Sequence, residues 1–381
     1  MATTAAELAA VLPSFPIKDL SSFHVESLLG GGGFSHVVLA RDAAGTECAL
    51  KLIPAPPGVT CLADLEAGAP LLLSEARIHL LLSGEPSILP CQEAFKAVYV
   101  DEVSSGGAAV RGSSGGHATY MAVLRMPVAA CSAEEWLFSA VPPPSSCGSA
   151  AGQLDEQEVL SVWLQMVNAV HRCHMHGVVH KDIKLPNFLL DHRGRVQLMD
   201  FGLAQVEGVT PRAVAGTPWT MSPAGFKHSD DGRAGDWWSL GVVLYQMLQG
   251  GAWPFKQCWW PWQRAGGRTT EAAIRRAVLA GRITFRDAPI LAGAVGCGGA
   301  VGGGGGGGSA LGGAGGGKVS EAARALIRGL LQPDPNRRWQ LRQVLASDAV
   351  RPELLQGLAT RFPELKDDME GLLWMQQRAR G

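Results

Sequence analysis

At 381 residues, 46% of them hydrophobic and 18% charged, the chain carries enough apolar side chains for one large domain or two medium ones. A formal net charge of −1, with no basic run or acidic tail, argues against a polyanion-binding surface and so against nucleic acid as a partner. The eight cysteines lie far apart without a CxxC pair, which suits neither a disulfide framework nor a structural zinc site.

The first twenty residues are alanine-rich and contain Glu7, Pro13 and Pro16. They lack a basic start and a long apolar run, so no signal peptide is expected. No run of eighteen uncharged apolar residues occurs, and no membrane span is expected either. A cytoplasmic or nuclear location follows, with a short organelle-targeting segment at the amino end still compatible.

From Phe23 to Lys51 apolar runs alternate with glycine turns, predicting strands over His24 to Leu29, His36 to Arg41 and Glu47 to Ile53 in an antiparallel meander. Leu71 to Leu82 has apolar residues at helical spacing around Glu75, Arg77 and His79. Strand-like Ala94 to Val100 and Tyr120 to Arg125 follow, separated by a Gly/Ser tract at 104–116 that reads as a loop. After a second loop at 141–152, Val159, Trp163, Met166, Val167 and Val170 mark a long amphipathic helix. Trp238 to Leu248 is apolar nearly all round and reads as a buried helix. The tract 302–317 holds twelve glycines in sixteen residues and is expected to be a disordered insertion. Ser320 to Leu331 and Leu341 to Ala346 resume helices. A β-rich part followed by an α-rich part predicts an α+β fold of two lobes with a cleft between them.

Three segments carry chemistry. In Leu29 to Val37, the glycines at 30 and 32 and the small Ser35 let backbone N–H groups approach phosphate oxygens. Fourteen residues after Ser35 stands Ala49, followed by Leu50 and the strand lysine Lys51. HKDIKLPN, His180 to Asn187, precedes MDFG, Met199 to Gly202, with Asp200 eighteen residues beyond Asp182. That is a hairpin distance, at which two carboxylates and an amide converge. Such a set supplies a proton acceptor for a hydroxyl and hard oxygen ligands for Mg²⁺ on phosphates.

These residues resemble the eukaryotic protein kinase family, serine/threonine type, whose signature also includes GTPWTMSP at 216–223, DWWSLG at 236–241 and DPNRR at 334–338. The resemblance implies a bilobal kinase domain over 23–348, with a small β-rich lobe over about 23–125 and a mostly helical lobe over about 126–348. It leaves 1–22 as an extension, 349–381 as a helical tail, and 104–116, 141–152 and 292–318 as flexible insertions. It implies transfer of the ATP γ-phosphate to Ser/Thr hydroxyls of protein substrates, with Mg²⁺. Lys51 would hold the α- and β-phosphates and pair with Glu75. Asp182 would deprotonate the acceptor, Lys184 would neutralise the γ-phosphate, and Thr217 would join this catalytic set. Asn187 and Asp200 would bind the metal. Nucleotide contacts fall to Leu29, Gly30, Gly31, Gly32, Gly33, Phe34, Ser35, Val37, Ala49, Lys51, Leu124, Met126 and Leu189.

The pattern also departs from the family. Lys181 follows His180 where relatives that need loop phosphorylation carry arginine, and Thr210 is the candidate phosphosite. Ala224 stands where the family has a glutamate that pairs with an arginine, here Arg338. That loss predicts an arginine seeking another acceptor or solvent, and a melting temperature that rises in Ala224→Glu. His79 sits at an apolar packing position and reads as a satisfied core histidine. No acid stands near Pro186 or Gln246, so preference for basic peptides is expected to be weak. Trp253 to Phe255 read as core, while Trp259, Trp260 and Trp262 form a candidate docking surface for a partner. The alternative reading is a pseudokinase-type scaffold that binds nucleotide without efficient catalysis. Loss of Lys51, Asp182 or Asp200 would favour it, and all three are present.

Overall fold

The structure is a computed structural model that describes residues 15–31, 35–56, 58–62, 65, 70–100, 118–138, 155–208, 216–229, 231–255, 271–285 and 319–380. The expected insertions at 104–116, 141–152 and 292–318 lie outside the described residues. The chain divides into two compact units. One comprises Met1–Val128, Met175–Val178 and Met199–Thr210; the other comprises Ala129–His174, Val179–Leu198 and Pro211–Gly381.

The first unit is a five-stranded sheet with one long helix. Its strands are β1 (His24–Gly31), β2 (His36–Arg41), β3 (Glu47–Pro54), β4 (Glu93–Val100) and β5 (Ala118–Met126), in the order β1-β2-β3-β5-β4. The helix is α1 (Pro70–Leu82). Alternation along each strand sends its apolar residues to two faces. Ile53, Ala94, Ala122 and Leu124 join Ala76 of α1 and Leu65 in one buried cluster. Val38, Ala40, Cys48, Leu50, Phe95, Ala97, Met121 and Val123 form the other. The first of these faces is the one that matters chemically, because Lys51 shares the parity of Ile53. β5 starts at Ala118, ahead of the expected Tyr120, since Ala118 and Thr119 still pair with Val100 and Tyr99.

In the second unit a small sheet, β6 (Cys131–Ser132), β7 (Phe188–Leu190) and β8 (Val196–Leu198), accompanies α2 (Ala133–Phe138) and α3 (Glu156–Met175). Then come α4 (Pro223–Phe226), α5 (Arg233–Leu248), α6 (Glu271–Ala280), α7 (Glu321–Leu330), α8 (Leu341–Ala346), α9 (Pro352–Arg361) and α10 (Lys366–Arg380). The periodic apolar residues of α3 are all buried, and Trp163 donates from Nε1 to Leu240 O at 3.0 Å, tying α3 to α5. From Asp236 to Leu248 every residue of α5 is buried, which is why its sequence has no polar stripe. Gly241 lets α7 approach, since a Cβ there would lie 2.7 Å from Leu330 Cβ. Ser320 caps α7 through Ala323 N at 3.1 Å, and Glu156 accepts from the Ser320 hydroxyl at 2.6 Å. Gln376 of α10 donates to Leu345 O and Val350 O at 2.8 and 2.7 Å, fastening the last helix to the α8 region. Among the described residues no helix is long and apolar enough to cross a membrane.

Candidate active site

In the first unit the decisive residue is a lysine placed where a lysine costs free energy. Lys51 lies mid-sheet, opposite Val37 on β2 and Leu124 on β5, and only 4% of it is exposed. A buried ammonium persists only when paired. Glu75, one residue before Ala76 on α1, supplies the first carboxylate through an ion pair to Nζ. Asp200 supplies the second at 2.6 Å. Burial alone would lower the lysine pKa, but the charges of Glu75 and Asp200 outweigh it and hold it above its ordinary value. Lys51 is therefore charged at neutral pH. Burial pushes the Glu75 carboxyl up, against the pull of Lys51. One-third of the Asp200 side chain stays exposed, and its backbone sits in the left-handed region with φ 67°. Asp tolerates that region better than most residues, and it is a conformation more often found at functional sites. Gly202 closes up on the pair, its Cβ position lying 3.2 Å from Glu75 Oε2.

The same unit places Leu29, Gly30 and Gly31 on β1, Val37 on β2, Ala49 on β3, and Leu124 and Met126 on β5, with Ala49 opposite Met126. Ser35 immediately precedes β2. Gly32, Gly33 and Phe34 lie outside the described residues. His79 is buried, and its Nε2 donates to Leu89 O at 2.6 Å while its ring tilts against Phe201 with centroids 5.1 Å apart. The position read as a satisfied core histidine is one.

The second unit gathers a set around Asp182, itself 6% exposed. Its Oδ1 accepts from the Thr217 hydroxyl at 2.6 Å and from Thr217 N at 3.1 Å. Its Oδ2 accepts from Lys184 Nζ at 2.6 Å and from Asn187 Nδ2 at 3.3 Å. Lys184 also reaches Thr217 Oγ1 at 3.2 Å. Asn187 Nδ2 donates to Asp182 O at 2.8 Å, which leaves the amide oxygen to present to a cation. Leu189 lies on β7, opposite Ser132 and Gln197.

What holds this loop is a residue to which sequence reasoning gave no role. Asp236, fully buried on the first turn of α5, accepts from His180 N at 2.9 Å, Lys181 N at 2.8 Å and His174 Nε2 at 2.8 Å. Burial works to raise its pKa, yet the His174 hydrogen bond and the neighbouring histidines hold the carboxyl below its ordinary value. Those bonds support Lys181 at φ 65°, a conformation that disfavours a side chain. Gly216 approaches the same turn so closely that a Cβ would lie 2.7 Å from Lys181 O. The signal that could have found Asp236 is an acid in the first turn of a helix that is apolar nearly all round, since Asp is almost never buried unless paired.

A family model described as "Protein kinase domain" matches residues 23–350. The chain belongs to the protein kinase family. The sheet-rich first unit and helical second unit are those of the bilobal kinase fold. Among curated relatives, calcium-dependent protein kinase 33 of Arabidopsis thaliana is 28% identical over 88% of this chain and 52% of its own length. A probable cAMP-dependent protein kinase catalytic subunit of Encephalitozoon cuniculi is 37% identical over 26% of this chain and 31% of its own. RAC-beta serine/threonine-protein kinase B of Xenopus laevis is 44% identical over 23% and 18%. The chain spans about half or less of the length of these relatives.

Within this kinase domain Arg338 has the other acceptor that Ala224 called for, and only the expected rise in melting temperature is revised. Arg338 is not left seeking a partner, because Asp231 accepts from its NH1 at 2.5 Å and Ala234 O accepts from the same nitrogen at 2.7 Å. Gln332 O accepts from Nε and Pro333 O from Nη2, at 3.0 and 3.3 Å, and the guanidinium lies over Trp238 at 5.1 Å. Ala224→Glu is accordingly expected to give no rise in melting temperature, read by thermal denaturation against wild type. A clear rise would show Arg338 under-satisfied. Trp253 and Phe255 are buried, with Trp253 Nε1 donating to Trp219 O at 2.8 Å and Trp238 stacked on Phe255 at 5.3 Å. The candidate phosphosite Thr210 and the candidate docking residues Trp259, Trp260 and Trp262 lie outside the described residues.

Proposed function

We propose that this protein is a serine/threonine protein kinase that uses ATP and Mg²⁺. The observation that carries the reading is the carboxylate of Asp182, buried and fixed on both oxygens by Thr217, Lys184 and Asn187. A carboxylate so oriented is pre-organised to take the proton of an attacking hydroxyl. Lys184, hydrogen-bonded to it, offers positive charge to the transferring phosphoryl group.

The buried Lys51, held by Glu75, takes the α- and β-phosphates. Asp200 in the first unit and the oxygen of Asn187 in the second are each a hard donor of the kind that suits Mg²⁺, which when bound would neutralise charge on the phosphates. The fit rests on the chemistry of that donor set and on the exposed third of Asp200. In the first unit the apolar residues Leu29, Val37, Ala49, Leu124 and Met126 suit adenine, and the glycines of β1 suit phosphate oxygens. The peptide preference proposed is weak for basic residues, since Gln246 is buried and Pro186 carries no charge.

The experiment is ATP turnover on a generic protein substrate with and without Mg²⁺. Mg²⁺-dependent labelling of serine and threonine is expected. Nucleotide binding without phosphotransfer would replace this reading by that of a regulatory scaffold.

A further inference from the structure

The family match begins at Phe23, yet the residues just before it are built into the sheet. Ile17 forms a parallel bridge with Lys96 on β4, the edge strand. Lys96 N donates to Pro16 O at 2.8 Å, and Lys18 N donates to Lys96 O at 2.9 Å. Lys18 pairs with Glu93 and lies over the Phe95 ring at 5.8 Å. Asp19 then caps the short turn Leu20–Ser22 through Ser21 N at 2.9 Å. The segment thus covers an edge that would otherwise offer unpaired backbone groups.

Its anchor is Phe15. This side chain is 7% exposed and belongs to the buried cluster that contains Ala76 of α1, Leu65, Ile53 and Leu124. Ala76 is the neighbour of Glu75, whose reach to Lys51 depends on where α1 sits. The aromatic ring fills the helix-covered face of the sheet beside the one pair that a kinase needs closed.

We propose that Phe15 to Lys18, which precedes the matched family range, is a strap that positions α1 so that Glu75 stays on Lys51. Phe15 is a positioning residue, acting through α1 and not on the nucleotide. The inference rests on the kinase reading for its effect on rate, but its effect on α1 is independent of that reading. Removing the anchor empties part of the cluster under α1, so the helix is expected to loosen and Glu75 to spend less time on Lys51.

The test compares full-length wild type with Phe15→Ala, Phe15→Leu and Ile17→Ala, the last at a residue 64% exposed. Two readouts are taken: steady-state kcat and KM for ATP, and amide hydrogen exchange in α1 and in α5. Phe15→Ala is expected to lower kcat about tenfold and to speed exchange in α1 while leaving α5 protected. Phe15→Leu is expected to recover most of both, and Ile17→Ala to match wild type. Unchanged α1 exchange in Phe15→Ala, or exchange that rises equally in α5, overturns the strap. A wild type without phosphotransfer overturns the kinase reading instead, and the exchange result still decides the strap.

Discussion

Asp182→Asn is expected to lower kcat by about 10²–10⁴-fold, the span of a lost general base, while KM for ATP stays near wild type. The carboxylate receives four donor contacts, two on each oxygen. An amide of the same shape keeps one acceptor oxygen and cannot take a proton from a substrate hydroxyl. Its NH₂ must also face either the Thr217 donors or the Lys184 ammonium, and each is a donor against a donor. Lys51 with its partner Glu75, proposed to hold the phosphates, and Asp200, proposed to hold the metal, are untouched, so the loss should fall on kcat and not on KM. Steady-state kinetics with a circular-dichroism melt make the comparison. A variant that retains kcat within about threefold of wild type would remove Asp182 from the role of base.

The elements that sequence reasoning placed well are those with strong periodicity. The strand expected from His36 to Arg41 is β2, and the helix expected over Leu341 to Ala346 is α8. The pairing of Lys51 with Glu75 that the resemblance implied is present as an ion pair, and the segments that hold Asp182, Asn187 and Asp200 stood out because they are short and contiguous. What was not legible depends on contacts between residues remote in sequence. Arg338 meets Asp231 across 107 positions, and no local pattern joins DPNRR to an aspartate beside Gly232. The burial of Phe15 was hidden for a similar reason. An isolated aromatic in an alanine- and proline-rich stretch has no period, and only the cluster under α1 shows where it goes.

The Arg338 site gives the largest effect expected on stability. Its guanidinium side chain is fully buried and its Asp231 partner nearly so. Burial lowers the arginine pKa, and Asp231 followed by Asp334 oppose that. Arginine does not deprotonate in response, so its charge must be compensated in place. Asp231→Ala leaves the cation with carbonyl oxygens, the Trp238 face and the charge of Asp334, with no carboxylate hydrogen-bonded to it. Breaking a buried pair costs about 3–5 kcal/mol, and these remaining acceptors place the expected loss near the lower bound, about 3 kcal/mol. Asp231→Asn keeps a neutral acceptor and should cost less. Removing both charges in Asp231→Ala/Arg338→Met should destabilise by less than the sum of the two single changes, because the orphaned cation is gone. The sharper comparison uses the family glutamate. Ala224→Glu, expected to do nothing in wild type, should recover part of the stability lost in Asp231→Ala, because only there does Arg338 lack a hydrogen-bonded carboxylate. Urea denaturation of the four proteins reads this directly. Equal stabilisation by Ala224→Glu in both backgrounds would mean that Asp231 does not substitute for the missing glutamate.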